Sequence, residues 1–144
     1  MSEQERAGTI VVGIDGSDPS RRALEWALRQ ARLQGAAILA VQAWELPDIY
    51  GTGAMVMPGE QFSESAQEAL NATVGAVAAE WPDVPIAREA VQGHPAKVLL
   101  DKAKGAELLV VGSRGHGGFI GALIGSVSHR VIQHASCPVV VIHG

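Results

Sequence analysis

The residues best placed to do chemistry in this 144-residue chain are glycines. After Val110 and Val111 the sequence runs GSRGHGGFIGALIGSVS, with Gly112, Gly115, Gly117, Gly118, Gly121 and Gly125 and with hydroxyls at Ser113, Ser126 and Ser128. Glycine admits backbone conformations closed to other residues and lets a ligand approach the main chain. Successive amides around such turns form an anion nest. A helix that follows adds N–H groups without intrahelical partners and the positive end of its dipole. Phosphate binding is the chemistry these parts offer. Charge agrees: from Leu108 to Gly144 there is no Asp or Glu, while Arg114, Arg130 and four of the five histidines (116, 129, 134 and 143) lie there. The competing reading is a tight strand-to-helix turn whose small residues allow close packing. The loop is not a P-loop, because no Lys follows its glycines. Nor is it a dinucleotide fingerprint: residues 112–117 read GxxGxG and follow a late strand rather than the first.

Asp15 is the second candidate. It closes the apolar run TIVVGID (9–15), where a carboxylate can meet a ribose hydroxyl or a divalent ion, or simply cap the turn at Gly16–Ser17. One carboxylate is thin for a metal, so Mg²⁺ would have to arrive with nucleotide phosphates. His94 precedes Pro95 at a helix start and reads as a cap or a solvent group. Cys137, the single cysteine, reads as a structural thiol and excludes an internal disulfide. No Cys/His spacing suits zinc and no nucleophile elbow is present.

The elements that must position these groups alternate. Residues 9–15 form a strand buried on both faces. Asp18 is expected to cap the helix that follows, with Pro19 in its first turn. Apolar or small residues recur at 20, 23, 24, 27, 28 and 31, a helical stripe that Gly35 ends. A strand at 36–44 leads to a long polar and Gly-rich connection, 45–61. A helix at 62–80, a strand near Ile86–Val91, a helix begun by Pro95, a strand at 106–112, a helix starting near Ile120–Gly125 and a strand over CPVVVIHG complete the chain. Five strands alternating with four helices predict an α/β doubly wound parallel sheet over 1–144, read as one domain. In such sheets ligands sit at the carboxyl ends of strands, where both Gly-rich turns fall.

The net charge of −4 argues against nucleic acid, and three dispersed tryptophans make no stacking platform. The start MSEQERAGT lacks the basic and apolar regions of a signal peptide, and no apolar run spans a membrane. A cytoplasmic protein without membrane contact is expected.

Gly112, Gly115, Gly125 and Ser126 fill the pattern G-x2-G-x9-G-[ST], VVGIDGS with Ser20 stands at one end, and ASCPVVVI at the other. On these residues the chain resembles the universal stress protein family, in its nucleotide-binding branch, over nearly its whole length. The resemblance implies an adenine nucleotide alpha hydrolase-like sheet of strand order 3-2-1-4-5. It implies ATP as ligand, with Mg²⁺ as an accompaniment, in a stress-response or signalling module with slow hydrolysis at most. Asp15 would contact the nucleoside, Gly13 would keep that edge of the binding site open, and the backbone from Val41 to Ala43 would contact the adenine. Gly112, Ser113, Gly115, Gly117 and Gly118 would cradle ribose and phosphates, and Gly125, Ser126, Val127 and Ser128 would complete the phosphate contacts. Arg114 and His116 occupy positions the pattern leaves free; a phosphate role for them rests on their charge. The apolar strand 138–142 ends almost at the C-terminus, and an edge of that kind invites a homodimer. Two alternatives stand beside this reading: a dimeric interaction protein whose nucleotide is dispensable, and a slow ATP hydrolase.

Overall fold

The computed structural model describes residues 8–46, 59–114 and 125–143. Its elements run β1 (Thr9–Gly13), α1 (Asp18–Gln34), β2 (Ala37–Trp44), α2 (Gly59–Ala78), β3 (Ile86–Gln92), α3 (Pro95–Lys102), β4 (Leu108–Gly112), α4 (Ser126–His134) and β5 (Val139–Ile142). The five strands form one parallel sheet of order β3-β2-β1-β4-β5. Within the 45–61 connection, residues 47–58 lie outside the described residues, as do Gly115, His116, Gly117 and Gly118 of the glycine loop.

Alternation along the strands explains why the sheet is covered on both faces. Ile10, Val12, Ile38, Ala40 and Val110 join Ala23, Leu24, Leu28, Leu70 and Val74 in the core beneath α1 and α2. Val11, Leu39, Val41, Leu109 and Val111 join Ala96, Leu99 and Val131 in the core beneath α3 and α4. A strand that feeds both cores has no polar face, which is why Ile10, Val11 and Val12 follow one another without a polar residue between them. Each fully buried Leu or Ile contributes about 1.5–3 kcal/mol of transfer free energy.

In α1 the buried residues are Ser20, Ala23, Leu24, Ala27, Leu28 and Ala31, the predicted stripe, and Gly35 ends the helix in the left-handed region at φ 70°. The N-cap differs from expectation. Ser17, not Asp18, caps α1: its hydroxyl oxygen accepts from the Ser20 N–H at 3.3 Å, while Asp18 pairs with Arg21 one turn on. The reason lies upstream. Asp15 Oδ1 accepts from the Ser17 N–H at 2.9 Å and folds the turn so that Ser17 leads the helix. At the far end of α1, Arg32 makes two hydrogen bonds to Asp83, at 2.8 and 2.5 Å, and lies 4.0 Å over the Trp81 ring. The pair holds the Asp83 carboxyl below its ordinary range, chiefly through the guanidinium hydrogen bond.

Candidate functional site

The direction of the chain changes between β1 and β4. After β1 it enters α1 on one face of the sheet; after β4 it leads to α4 on the other. Neighbouring strands whose connections diverge leave a crevice at their carboxyl ends. Gly13, Asp15, Gly112, Ser113, Gly125 and Ser126 therefore converge there, and the register sets Gly13 beside Val41 on one side and Val12 beside Val110 on the other.

Asp15 is exposed at the rim of this crevice. Its Oδ1 accepts from both the N–H and the hydroxyl of Ser17, at 2.9 and 2.5 Å, so the carboxylate is fixed before any ligand arrives. Val41 is buried at 1% exposure, and its carbonyl accepts from the Ile14 N–H at 2.8 Å. Val41 thus shapes the floor, with its carbonyl already engaged in joining β1 to β2.

The two framework glycines have packing duties of their own. A Cβ on Gly112 would lie 2.8 Å from both the carbonyl carbon and the Cβ of Pro19. A Cβ on Gly13 would lie 2.9 Å from Leu99 Cδ1. The close packing weighed as the competing reading of the loop is real at Gly112: glycine lets the end of β4 approach the first turn of α1.

Beyond Gly112 the chain is tied down. The Ser113 N–H donates to the Ile142 carbonyl at 2.8 Å, and the Ser113 carbonyl accepts from the Gly125 N–H at 2.5 Å. The Ser128 hydroxyl donates to the Gly112 carbonyl at 2.5 Å. Ser113 and Ser128 are buried, at 2% and 4% exposure. Gly125 is the N-cap of α4 and carries no side-chain cap. The first intrahelical hydrogen bond there runs from His129 N–H to Gly125 O at 2.9 Å. The N–H groups of Ser126, Val127 and Ser128 therefore lie in the turn that has no intrahelical acceptor, and the positive end of the helix dipole is at the same place. An anion would meet Val127 and Ser128 through their amides; the Ser128 hydroxyl is spent on Gly112.

The other candidates fall outside the crevice or have structural work. His94 caps α3, its Nδ1 accepting from the Ala96 N–H at 3.2 Å. His129 and His134 lie on the exposed face of α4. Cys137 is partly buried against the α3/α4 core, and burial pushes its thiol pKa up. Among the described residues no group of three or more His, Cys, Asp or Glu is arranged to hold a metal ion. Asp15 and the α4 amides are the groups that could hold a nucleotide with its counterion. Among the described residues no helix is long and apolar enough to cross a membrane.

One feature escaped the sequence reading. Gln42 Oε1 and Trp44 Nε1 are buried without a hydrogen-bond partner at the carboxyl end of β2. An orphaned buried polar group costs about 1–3 kcal/mol. The sequence signal was the polar Gln42 following the apolar run AILAV, with Trp44 on the same face two residues later.

A parallel sheet of order β3-β2-β1-β4-β5 with an uncapped helix start at its switch point defines a doubly wound α/β protein with its crevice at the carboxyl edge. Its family follows from sequence: residues 7–143 match the universal stress protein family, and the chain belongs to it. It is 39% identical over 135 residues to a universal stress protein of Mycobacterium tuberculosis, covering 92% of this chain and 44% of that protein. The chain spans less than half the length of the curated relatives it matches. Among solved structures, a universal stress protein in complex with cAMP shares 29% identity at TM-score 0.70, covering 94% of this chain and 95% of that one. The universal stress protein from Archaeoglobus fulgidus in complex with dAMP shares 27% identity at TM-score 0.68, covering 93% and 96%.

Proposed function

We propose that this protein binds an adenine nucleotide, ATP foremost, in the crevice between Asp15 and the start of α4, and that it serves as a cytoplasmic stress-response or signalling module. One observation carries the reading: the α4 start has no side-chain cap, and its first-turn amides adjoin the end of β4 across from a prefixed carboxylate. Relatives solved with cAMP and dAMP support adenine as the base. By resemblance to the family, Gly115, Gly117 and Gly118 would contribute to the phosphate cradle, with Arg114 and His116 as further candidates. Mg²⁺ fits the donor set only as a partner of the nucleotide, with Asp15 as the one carboxylate at the rim. No Walker lysine and no paired carboxylates are among the proposed contacts, so turnover is expected far below the ~1–10³ s⁻¹ usual for enzymes. Phosphate release above about one per second that disappears in Asp15→Asn would overturn this expectation and make the protein an ATP hydrolase.

The test is to denature the purified protein and identify released nucleotide by mass, then titrate ATP, AMP and cyclic AMP into the emptied protein. Recovery of ATP, or tightest binding of ATP, supports the reading. A protein that neither carries nor binds any of the three leaves the second reading, a dimeric interaction protein. That reading has its own observation. All four β5 residues are only half-buried, on a strand whose one neighbour is β4. Two-fold pairing of β5 edges would make them antiparallel and close a homodimer, which we propose on either reading.

A further inference from the structure

We infer that Ser128 is a positioning residue for phosphate binding, acting through the Gly112 carbonyl and not by touching the ligand with its hydroxyl. The inference rests on the nucleotide reading above and deepens it. In a capping box a Glu or Gln three places after the N-cap reaches back to the N-cap N–H. Ser128 holds that place after Gly125, yet its hydroxyl points away to the carbonyl of Gly112, 2.5 Å distant. Two further bonds complete a clasp: Gly125 N–H to Ser113 O at 2.5 Å and Ser113 N–H to Ile142 O at 2.8 Å.

The clasp has a mechanical consequence. The end of β4 is held by its ladder to β1 and β5. Ser128 transmits that rigidity to α4, on which Val131 is the other fully buried anchor and Val127 is partly buried. The first-turn amides are thereby fixed in direction relative to β4. Preorganised donors bind a charged group more tightly than donors that must first be ordered. The helix start stays uncapped because Gly125, its N-cap, has no side chain. A side chain that capped α4 would compete with the ligand for the same amides. The effect of Ser128 falls chiefly on phosphate, because the nucleoside has proposed contacts away from α4, at Asp15 in the turn after β1 and along the Val41–Ala43 backbone of β2.

The experiment compares ATP and adenosine binding by titration calorimetry in wild type, Ser128→Ala and Ser128→Cys, the last keeping volume with a weaker donor. Both variants should unfold cooperatively. Ser128→Ala should bind ATP about tenfold more weakly, while adenosine affinity changes by less than about twofold. Ser128→Cys should show the same split. Equal losses for ATP and adenosine would make Ser128 merely structural and overturn the inference, as would unchanged ATP affinity. If wild type binds neither ligand, the nucleotide reading fails and the inference with it; if wild type binds both and the variants show no split, the inference alone fails.

Discussion

Replacing Gly112 by alanine separates packing from ligand binding at the heart of the site. The added Cβ would sit 2.8 Å from the Pro19 carbonyl carbon, 2.8 Å from its Cβ and 3.1 Å from its oxygen. Carbon atoms in contact prefer about 3.5–4.0 Å, so roughly an ångström of relief is needed. Backbone must supply it, because Pro19 is in the first turn of α1, whose stripe from Ser20 to Ala31 is locked into the core. Overpacking of this kind costs about 1–3 kcal/mol. At roughly 2–4 °C per kcal/mol for a domain of this size, the melting temperature should fall by about 2–12 °C. Gly13→Ala is the internal comparison. Its Cβ would meet Leu99 methyls at 2.9 and 3.3 Å and Val111 Cγ1 at 3.4 Å, side-chain atoms with more freedom to shift. It should cost less. Scanning calorimetry on nucleotide-free protein, with urea unfolding to confirm an unchanged m-value, measures both. A Gly112→Ala melt within about 1 °C of wild type, or a larger loss in Gly13→Ala, would refute the packing argument.

Three other outcomes follow. Leu109 N–H and Ser113 N–H donate to Pro138 O and Ile142 O, so alternation turns the N–H of Val140 toward β4 and those of Val139 and Val141 away from it; Val141→Pro should therefore convert the proposed homodimer to folded monomer in light scattering, and a monomeric wild type or a fully dimeric variant would reject this edge. The Asp83 carboxyl, lowered by Arg32, favours the folded state above the ordinary aspartate range near pH 4, and this contribution should vanish as pH falls through the depressed value; acid titration of wild type against Arg32→Ala should converge at low pH, and the exposed pair should weaken with salt. Burial raises the Cys137 pKa, so thiolate is scarce near neutrality and alkylation of native protein should lag far behind unfolded protein, with equal rates counting against the packed thiol.

Much of the architecture could be read before any coordinates because it depends on local patterns. IVV (10–12) is apolar without a break, the α1 stripe keeps its spacing, and Gly35 stops the helix where a positive φ is needed. The errors fall where a specific side-chain contact decides. Asp18 and Ser17 are both good caps; the Asp15 carboxylate, through Ser17, settles which one serves. Nothing local to Gly112 announces that Pro19 lies against it, and nothing in SVS reveals that Ser128 reaches Gly112 and not a ligand. The β5 valines look alike in sequence, yet the ladder to β4 divides them into inward and outward donors. Gly115 to Gly118, where glycines are densest, lie outside the described residues.

The central claim concerns place as much as ligand, and a backbone amide spectrum recorded during ATP titration tests both at once. The largest shifts should fall on Asp15, Ser113, Arg114 and Gly125 to Ser128. The groove of about 220 Å³ between α1 and α2, lined by Glu25, Arg29, Ala76, Val77, Glu80 and Trp81, should stay unchanged. Saturable shifts confined to that groove, or no shifts at any ATP concentration, would contradict the account.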